Sequence, residues 1–296
     1  FHTMTEELEV LACHYEATTR RRRKTREGPP LSLEEDGVWA CDEAPNGERL
    51  AEVLELLSKQ GPPLKPFWIR YHETTAGRSW NDFYKRNEDR FFKDRHYLDV
   101  EFPLLRRATR ILELGCGCGN ALPLLLSATG ADVTCLDFSA KAIELLLKRP
   151  DFDPTRCDAR VCDVVKDDLG CADALDVVTC FFVLSALSPD TMPAVARKLQ
   201  NATAVLVRDY GRYDEAQLRY AKGRKLADHF YVKHDGTRCY YFDLADLDAL
   251  FHPLGFSGSA KFLHQLHRNR ATGNTRRRVF VQAVYSKKKQ PPGSSL

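Results

Sequence analysis

Ile111-Leu112-Glu113-Leu114-Gly115-Cys116-Gly117-Cys118-Gly119-Asn120 reads ILELGCGCGN. A short apolar run passes into three alternating glycines and then into a helical stretch. Two readings compete for it. The Cys-x-Cys pair suggests a metal or redox centre, but two thiols cannot complete a tetrahedral site, and no His or Cys flanks them closely. The glycines suggest a tight turn at the end of a strand, where a side chain would obstruct either the turn or a ligand. The second reading is preferred, with both cysteines as packing residues and no metal expected. The spacing is GxGxG and not the GxGxxG that cradles a pyrophosphate on a helix N-terminus.

Outward from this turn the chain alternates strand and helix. Arg110 to Leu114 reads as a strand, Asn120 to Ala128 as a helix and DVTCLD as a strand. SAKAIELLLKR follows as a helix capped by Ser139, and ARVCD as a strand. ALDVVTCFFVLSAL is expected to be one long strand at a sheet centre, apolar on both faces. A helix capped by Ser188 (SPDTMPAVARKLQ) and a strand (TAVLVRDY) complete the repeat. This order predicts an open α/β sheet of the Rossmann-like type, mostly parallel, with helices on both faces. Beyond Tyr210 a basic helix (DEAQLRYAKGRKLA), a hairpin (HFYVKHDGTRCYYF) and a helix ending near Gly255 are expected. Two last strands, GSAKFLHQLHRN and RRVFVQAVYS, should add antiparallel to the sheet. Ahead of the repeat, SWNDFYKRNEDRFF reads as a helix capped by Ser79, and GERLAEVLELLSK as an amphipathic helix with Leu50, Val53, Leu54 and Leu57 on one face.

In such sheets ligands sit at the carboxyl ends of the strands. Acids stand at three successive strand ends. Glu113 lies just before the turn and suits a cationic amine. Asp137 can accept both ribose hydroxyls. Asp163 can accept from an adenine amine while Val164 packs on the ring. This set suits a positively charged nucleoside such as S-adenosylmethionine better than a phosphate-rich one.

The chain has 296 residues, 43% hydrophobic and 29% charged, which is a globular composition. No apolar run approaches the ~20 residues that span a bilayer, and no membrane association is expected. The N-terminal stretch lacks a charged segment followed by an apolar one, so no secretory signal is expected. Phe1-His2-Thr3 is set aside as foreign sequence ahead of Met4. Ten cysteines without a CxxC pair fit reduced thiols and a cytoplasmic setting, with nucleus and mitochondrion as alternatives. Net charge is only +3, yet basic residues cluster at Arg20 to Lys24, at Arg276 to Arg278 and at Lys287 to Lys289. Local clusters can bind phosphates without a large global charge. We divide the chain into a basic, partly ordered arm over 1–77, a domain over 78–286 with an N-terminal helix and a 211–245 insertion, and a basic tail over 287–296, with RNA binding expected of the arm and of that helix.

Seven segments are more discriminating than the glycine turn: WNDFYKRNEDRFFKDRHYL, LELGCGCGN, CLDFSAKAIE, CDVVKDDL, DVVTCFFVLSALSPDTM, LVRDYGRYD and FYVKHDGTRCYYF. Together, and in order over about residues 78–286, they resemble the methyltransferase-like tRNA 3-methylcytidine methyltransferases. The family usually has Trp where Tyr97 stands and a small aliphatic residue at Cys118. It also has a Pro-Gly before the fifth strand that is absent near Gln200. The resemblance implies transfer of a methyl group from S-adenosylmethionine to N3 of cytidine 32 in the tRNA anticodon loop, leaving S-adenosylhomocysteine. It implies that Trp80 and Tyr84 fold over the cofactor, and that Gly115, Gly117, Asp137, Phe138, Asp163, Val164 and Phe181 line its pocket. By the same resemblance Lys93, Asp94, Arg95 and His96 shape the RNA entrance, and Arg208, Asp209 and Tyr210 face the target base. Asp209 is the residue expected to stabilise the charge of the methylated base. Arg212 and Arg238 belong to an arginine and aromatic mix suited to loop RNA. An aminoacyl-tRNA synthetase, notably the seryl enzyme, is a partner of some members. The alternatives are a methyltransferase of a small molecule or protein, and an RNA-binding adaptor without catalysis.

Overall fold

The computed structural model describes residues 38–41, 47–88, 95, 98–171, 175–268 and 275–287. Its centre is a sheet of eight strands. In chain order these are β1 (Val38–Cys41), β2 (Arg110–Leu114), β3 (Asp132–Asp137), β4 (Cys157–Val161), β5 (Val177–Phe181), β6 (Ala204–Tyr210), β10 (Phe256–Arg268) and β11 (Thr275–Lys287). A separate three-stranded sheet holds β7 (Lys225–Ala227), β8 (Phe230–Val232) and β9 (Arg238–Tyr240). The large sheet is ordered β1-β10-β11-β6-β5-β2-β3-β4. Strands β6, β5, β2, β3 and β4 run parallel. The pair β10–β11 joins β6 antiparallel, as the sequence predicts, and β1 extends the edge beyond it. The order reverses between β2 and β5, so the crevice at their carboxyl ends is the switch point where such sheets bind ligands.

Helices cover both faces. They are α1 (Gly47–Ser58), α2 (Pro66–Thr74), α3 (Ala76–Asn87), α4 (Leu98–Glu101), α5 (Leu122–Thr129), α6 (Ala140–Leu147), α7 (Met192–Lys198), α8 (Glu215–Leu218) and α9 (Leu244–Phe251). Every residue of β5 is buried, as is β6 from Ala204 to Asp209, because each carries an apolar layer above and below. One layer holds Leu112, Leu114, Val178, Cys180, Val205 and Val207, and the other Ile111, Val133, Val177 and Leu206. Ser139 caps α6 by accepting from the Ala142 amide, and Asp243 caps α9 in a capping box with Asp246. Caps of this kind are worth about 0.5–2 kcal/mol each. No helix among the described residues is long and apolar enough to cross a membrane.

Four sequence expectations change. Ser79 does not cap a helix: α3 begins at Ala76, and the Ser79 amide donates to the Thr75 carbonyl inside its first turn. The long apolar run is a strand only to Phe181. Phe182 has a positive φ of 61°, and a 3-10 turn follows over Leu184–Ala186. Apolar periodicity cannot show this break, because the turn is as buried as the strand. Ser188 makes no cap; its hydroxyl pairs with Glu73 instead. The basic helix after Tyr210 shrinks to Glu215–Leu218 behind an Asp214 cap. The rest of that segment enters β7, which pairs with the expected hairpin.

Candidate active site

The glycine turn is built by close packing of protein on protein. A Cβ on Gly115 would stand 2.4 Å from Val183 Cγ2, and one on Gly117 would stand 2.5 Å from the Tyr84 hydroxyl. Both glycines have positive φ, 63° and 57°, which other residues adopt only under strain. The Gly117 amide donates to Asp137 Oδ2 at 2.9 Å, and the Ser139 amide donates to Oδ1 at 2.8 Å. Turn and second strand end are therefore locked together by one carboxylate. Burial pushes the Asp137 carboxyl up to about 6, and these two amides oppose the shift. Cys116 and Cys118 are buried; burial pushes the Cys116 thiol up to about 12, so it packs as an inert thiol.

A cavity of about 310 Å³ opens at the carboxyl ends of β2, β3 and β4. That is the size class of small-molecule sites. Trp80, Tyr84, Gly115, Asp137, Phe138, Asp163 and Val164 all line it. Helix α3 forms its lid, and the lid is pinned. Asn81 Oδ1 accepts from the Ser139 hydroxyl at 2.8 Å and from the Lys141 amide at 3.2 Å, at the start of α6. Gly77 lets the lid approach: a Cβ there would stand 3.2 Å from the Phe138 ring. Asp163 keeps one side partly open, with Oδ1 accepting from the Val165 amide and Lys166 3.0 Å from Oδ2. The cavity thus offers aromatic walls and three carboxylates, Glu73, Asp137 and Asp163, and two of its three lining cations are spoken for, Arg238 by Glu73 and Lys166 by Asp163. That donor set fits the nucleoside, ribose and cationic amino-acid parts of S-adenosylmethionine.

Three expected cofactor residues lie outside the cavity lining. Phe181 packs its ring on Phe102 at 5.2 Å, and its neighbour Phe182 lines the cavity. Glu113 is buried beneath the turn, where the Cys135 thiol donates to it at 3.7 Å. Burial pushes it up to about 7, with Arg95 pulling the other way. Gly117 supports the turn from behind, through Asp137 and Tyr84.

At the end of β6 the three neighbouring residues go to three different environments, because successive side chains leave a strand on opposite faces. Arg208 is buried against Glu101, with 2.7 Å between Nη1 and Oε2, and against Gln282. Asp209 is fully buried on the other face. Its Oδ2 accepts from the Ser185 amide and its Oδ1 from its own neighbour's amide at Tyr210, both at 2.9 Å. It therefore holds the 182–185 turn that walls the cavity. Burial pushes its carboxyl up to about 6, against the pull of these donors and of Lys233. Tyr210 is half-buried in an aromatic cluster, 5.1 Å from Phe182 and 6.1 Å from Phe280.

Of the expected RNA contacts, Lys93 and His96, with Asp94, lie outside the described residues. Arg95 stands over the Phe182 ring at 4.9 Å and donates to the Phe181 carbonyl at 3.3 Å. Arg238 lines the cavity, paired with Glu73 of α2 and donating to the Ala186 carbonyl at 3.1 Å. Arg212 is held by Asp243 at 2.8 Å and Asp246 at 3.5 Å. Sequence reasoning missed Phe182, Val183, Glu73 and the placement of Lys233. Only the doubled Phe181-Phe182 carried a signal, and it did not say which ring turns outward. Among the described residues no group of three or more His, Cys, Asp or Glu side chains is placed to hold a metal ion.

The family model of a methyltransferase domain matches residues 112–207, the span from β2 to β6. The chain is 36% identical to the tRNA N(3)-cytidine methyltransferase METTL2 of Danio rerio, with 82% of each chain covered. It is 39% identical to the tRNA N(3)-cytidine methyltransferase METTL6 of Homo sapiens, covering 82% of this chain and 91% of that one. A solved SAM-dependent methyltransferase from Anabaena variabilis ATCC 29413 shares the fold, with a TM-score of 0.53 at 15% identity over 72% of this chain and 95% of that one. On the strength of these relatives, with the segment order and the switch-point cavity that match them, the chain belongs to the tRNA N(3)-cytidine methyltransferase family.

Proposed function

We infer that this protein transfers the methyl group of S-adenosylmethionine to N3 of a cytidine in tRNA, leaving S-adenosylhomocysteine. One observation carries the reading: the cofactor-type cavity between α3 and the strand ends is walled by Phe182, whose ring also belongs to the aromatic cluster of Tyr210 and Phe280. A methyl-donor site and a base-stacking site thus share one wall.

S-adenosylmethionine supplies an electrophilic sulfonium methyl. Asp137 and Asp163 hold its ribose and adenine ends, Trp80 and Tyr84 cover it, and Gly115 keeps the turn close. Cytosine N3 has an in-plane lone pair, so no strong base is needed, and the protein's main task is to hold N3 in line. That lone pair is masked in a duplex, so the substrate is an unpaired or flipped base stacked among Tyr210, Phe182 and Phe280. Methylation places positive charge on the base. Asp209, buried directly behind the Phe182–Ser185 turn, acts on that charge through a water-poor interior, where one fixed carboxylate has its largest effect. Arg208 serves the fold through Glu101 and Gln282.

The finer reading follows the resemblance. The target is cytidine 32 of the anticodon loop, the setting is cytoplasmic, and a seryl-type aminoacyl-tRNA synthetase is the partner. The arm over 1–77, the domain over 78–286 with its 211–245 insertion, and the tail over 287–296 divide the labour between RNA capture and transfer. Incubating individual tRNAs with the protein and S-adenosylmethionine, then measuring nucleosides by mass spectrometry, tests this. 3-Methylcytidine at position 32 is expected. No 3-methylcytidine in any tRNA, with or without the synthetase, would refute the reading.

A further inference from the structure

Beside Asp209 and Tyr210 the fold places a cation that is not the chain neighbour Arg208. Lys233 follows β8, in the turn that leads to β9, and its Nζ stands over the Tyr210 ring at 5.5 Å. The turn fixes its backbone: the Lys233 amide donates to the Thr237 carbonyl at 2.8 Å, and the Gly236 amide donates to the Lys233 carbonyl at 3.1 Å. Arg278 also stands over Tyr210, at 5.7 Å, but Asp214 holds it at 2.8 Å. Lys233 has no such partner. Among the described residues nothing accepts a hydrogen bond from its Nζ. It interacts electrostatically with Asp209, yet no ion pair joins them. Burial alone would lower its pKa. Cys239, Tyr210, Tyr220 and Asp235 around it outweigh that and hold it above the ordinary lysine value, so it stays an ammonium. Nζ is not one of the buried polar atoms left without a partner, so water reaches it, and a ligand oxygen that displaces that water can accept from it.

Cytosine supplies the matching pattern. On either side of N3 stand an amine, which donates, and the O2 carbonyl, which accepts. Asp209 is fully buried with both oxygens held by amides, so the group presented here is the ammonium, and its match on the base is the O2 carbonyl. We propose that Lys233 contacts the target nucleotide, donating from its ammonium to O2 of the cytosine stacked on Tyr210. This rests on the reading that the acceptor is a tRNA cytidine. A backbone phosphate is the other oxygen an ammonium could take. The base is favoured because Nζ stands over the ring of Tyr210, on which the base would stack, and phosphate contacts come from open surface.

The test combines Lys233→Met with a tRNA carrying 2-thiocytidine at the target, whose sulfur is a poor hydrogen-bond acceptor. Parent and variant are each measured on both substrates under single turnover at saturating tRNA, with tRNA affinity measured over a range of salt. The proposal expects Lys233→Met to slow transfer at least tenfold on the natural substrate with tRNA affinity within twofold. It also expects 2-thiocytidine to slow the parent but not the variant further. A parental rate in the variant overturns it. So does a loss confined to tRNA affinity with a shallower salt dependence, which marks a phosphate contact. If Lys233→Met fails to bind S-adenosylmethionine in calorimetry, the parent alone decides: transfer to 2-thiocytidine at the natural rate overturns the proposal. A parent that makes no 3-methylcytidine refutes the proposed function itself, a result distinct from any of these.

Discussion

The two ends of the site are made differently. The cofactor end is built from short-range parts: a glycine turn, a carboxylate at the end of the next strand, and backbone amides that bind it within a few residues. The proposed acceptor end gathers Phe182, Tyr210, Lys233 and Phe280 from four separate segments, with Tyr210 and Lys233 half-buried. The first end is rigid because each piece locks its neighbour. The second is defined only once β11 lies beside β6 and Tyr241, just past β9, packs against Tyr210. Binding a common cofactor needs a local constellation, whereas choosing one nucleotide needs a surface assembled from distance.

The largest expected effect falls on the acceptor end. Asp209→Ala should lower the transfer rate about 10²–10³-fold, the range seen when one preorganised charge stabiliser is lost. S-adenosylmethionine affinity, measured by calorimetry, should fall by much less, since it senses only the loosened turn that Asp209 holds through the Ser185 amide. Transfer near the parent rate would remove Asp209 from the mechanism. Next comes the buried pair beneath that end. Arg208→Met breaks a buried ion pair with Glu101 and should destabilise the fold by about 3–5 kcal/mol in denaturant unfolding. If stability is unchanged and only transfer is lost, Arg208 belongs to the chemistry after all. At the cofactor end, Gly115→Ala must move Val183 and adopt a strained φ. It should weaken S-adenosylmethionine binding about tenfold or more, with tRNA affinity retained.

The smallest effect is in pH. Asp209 and Asp137 are both pushed up to about 6, burial being the first cause. Activity needs the ionised forms, so kcat/KM should fall as pH drops through about 6. Stability should run the other way. A carboxyl raised above its unfolded value of about 3.9 binds its proton more tightly in the fold. Its contribution is therefore fully present below that value and is lost as pH rises through about 6. Thermal unfolding from pH 7 to pH 5 checks this, and a matching loss of both quantities at low pH would contradict it.

Much of the cofactor end was legible in the sequence. Glycines and acids at successive strand ends are tied to the chain's own periodicity, and Gly115, Asp137, Asp163 and Val164 meet in the cavity as that periodicity predicts. Phe181 and Phe182 could not be told apart, because the sequence does not show the positive φ at Phe182 that swings one ring out and leaves the other on Phe102. The resemblance puts Arg208 beside Asp209 and Tyr210 at the target base, but a strand sends neighbours to opposite faces, and Glu101 receives Arg208 there.

The alternation of strand and helix, the parallel sheet, the switch-point crevice, and Asp137 and Asp163 at its edge are written in the chain, since these follow from local pattern and strand direction. Packing between distant segments settles which cation stands near Asp209, which ring walls the cavity and where α3 is pinned over it. Those depend on contacts between segments distant along the chain, such as Lys233 on Tyr210 and Asn81 on Ser139, whose side-chain directions no local pattern encodes.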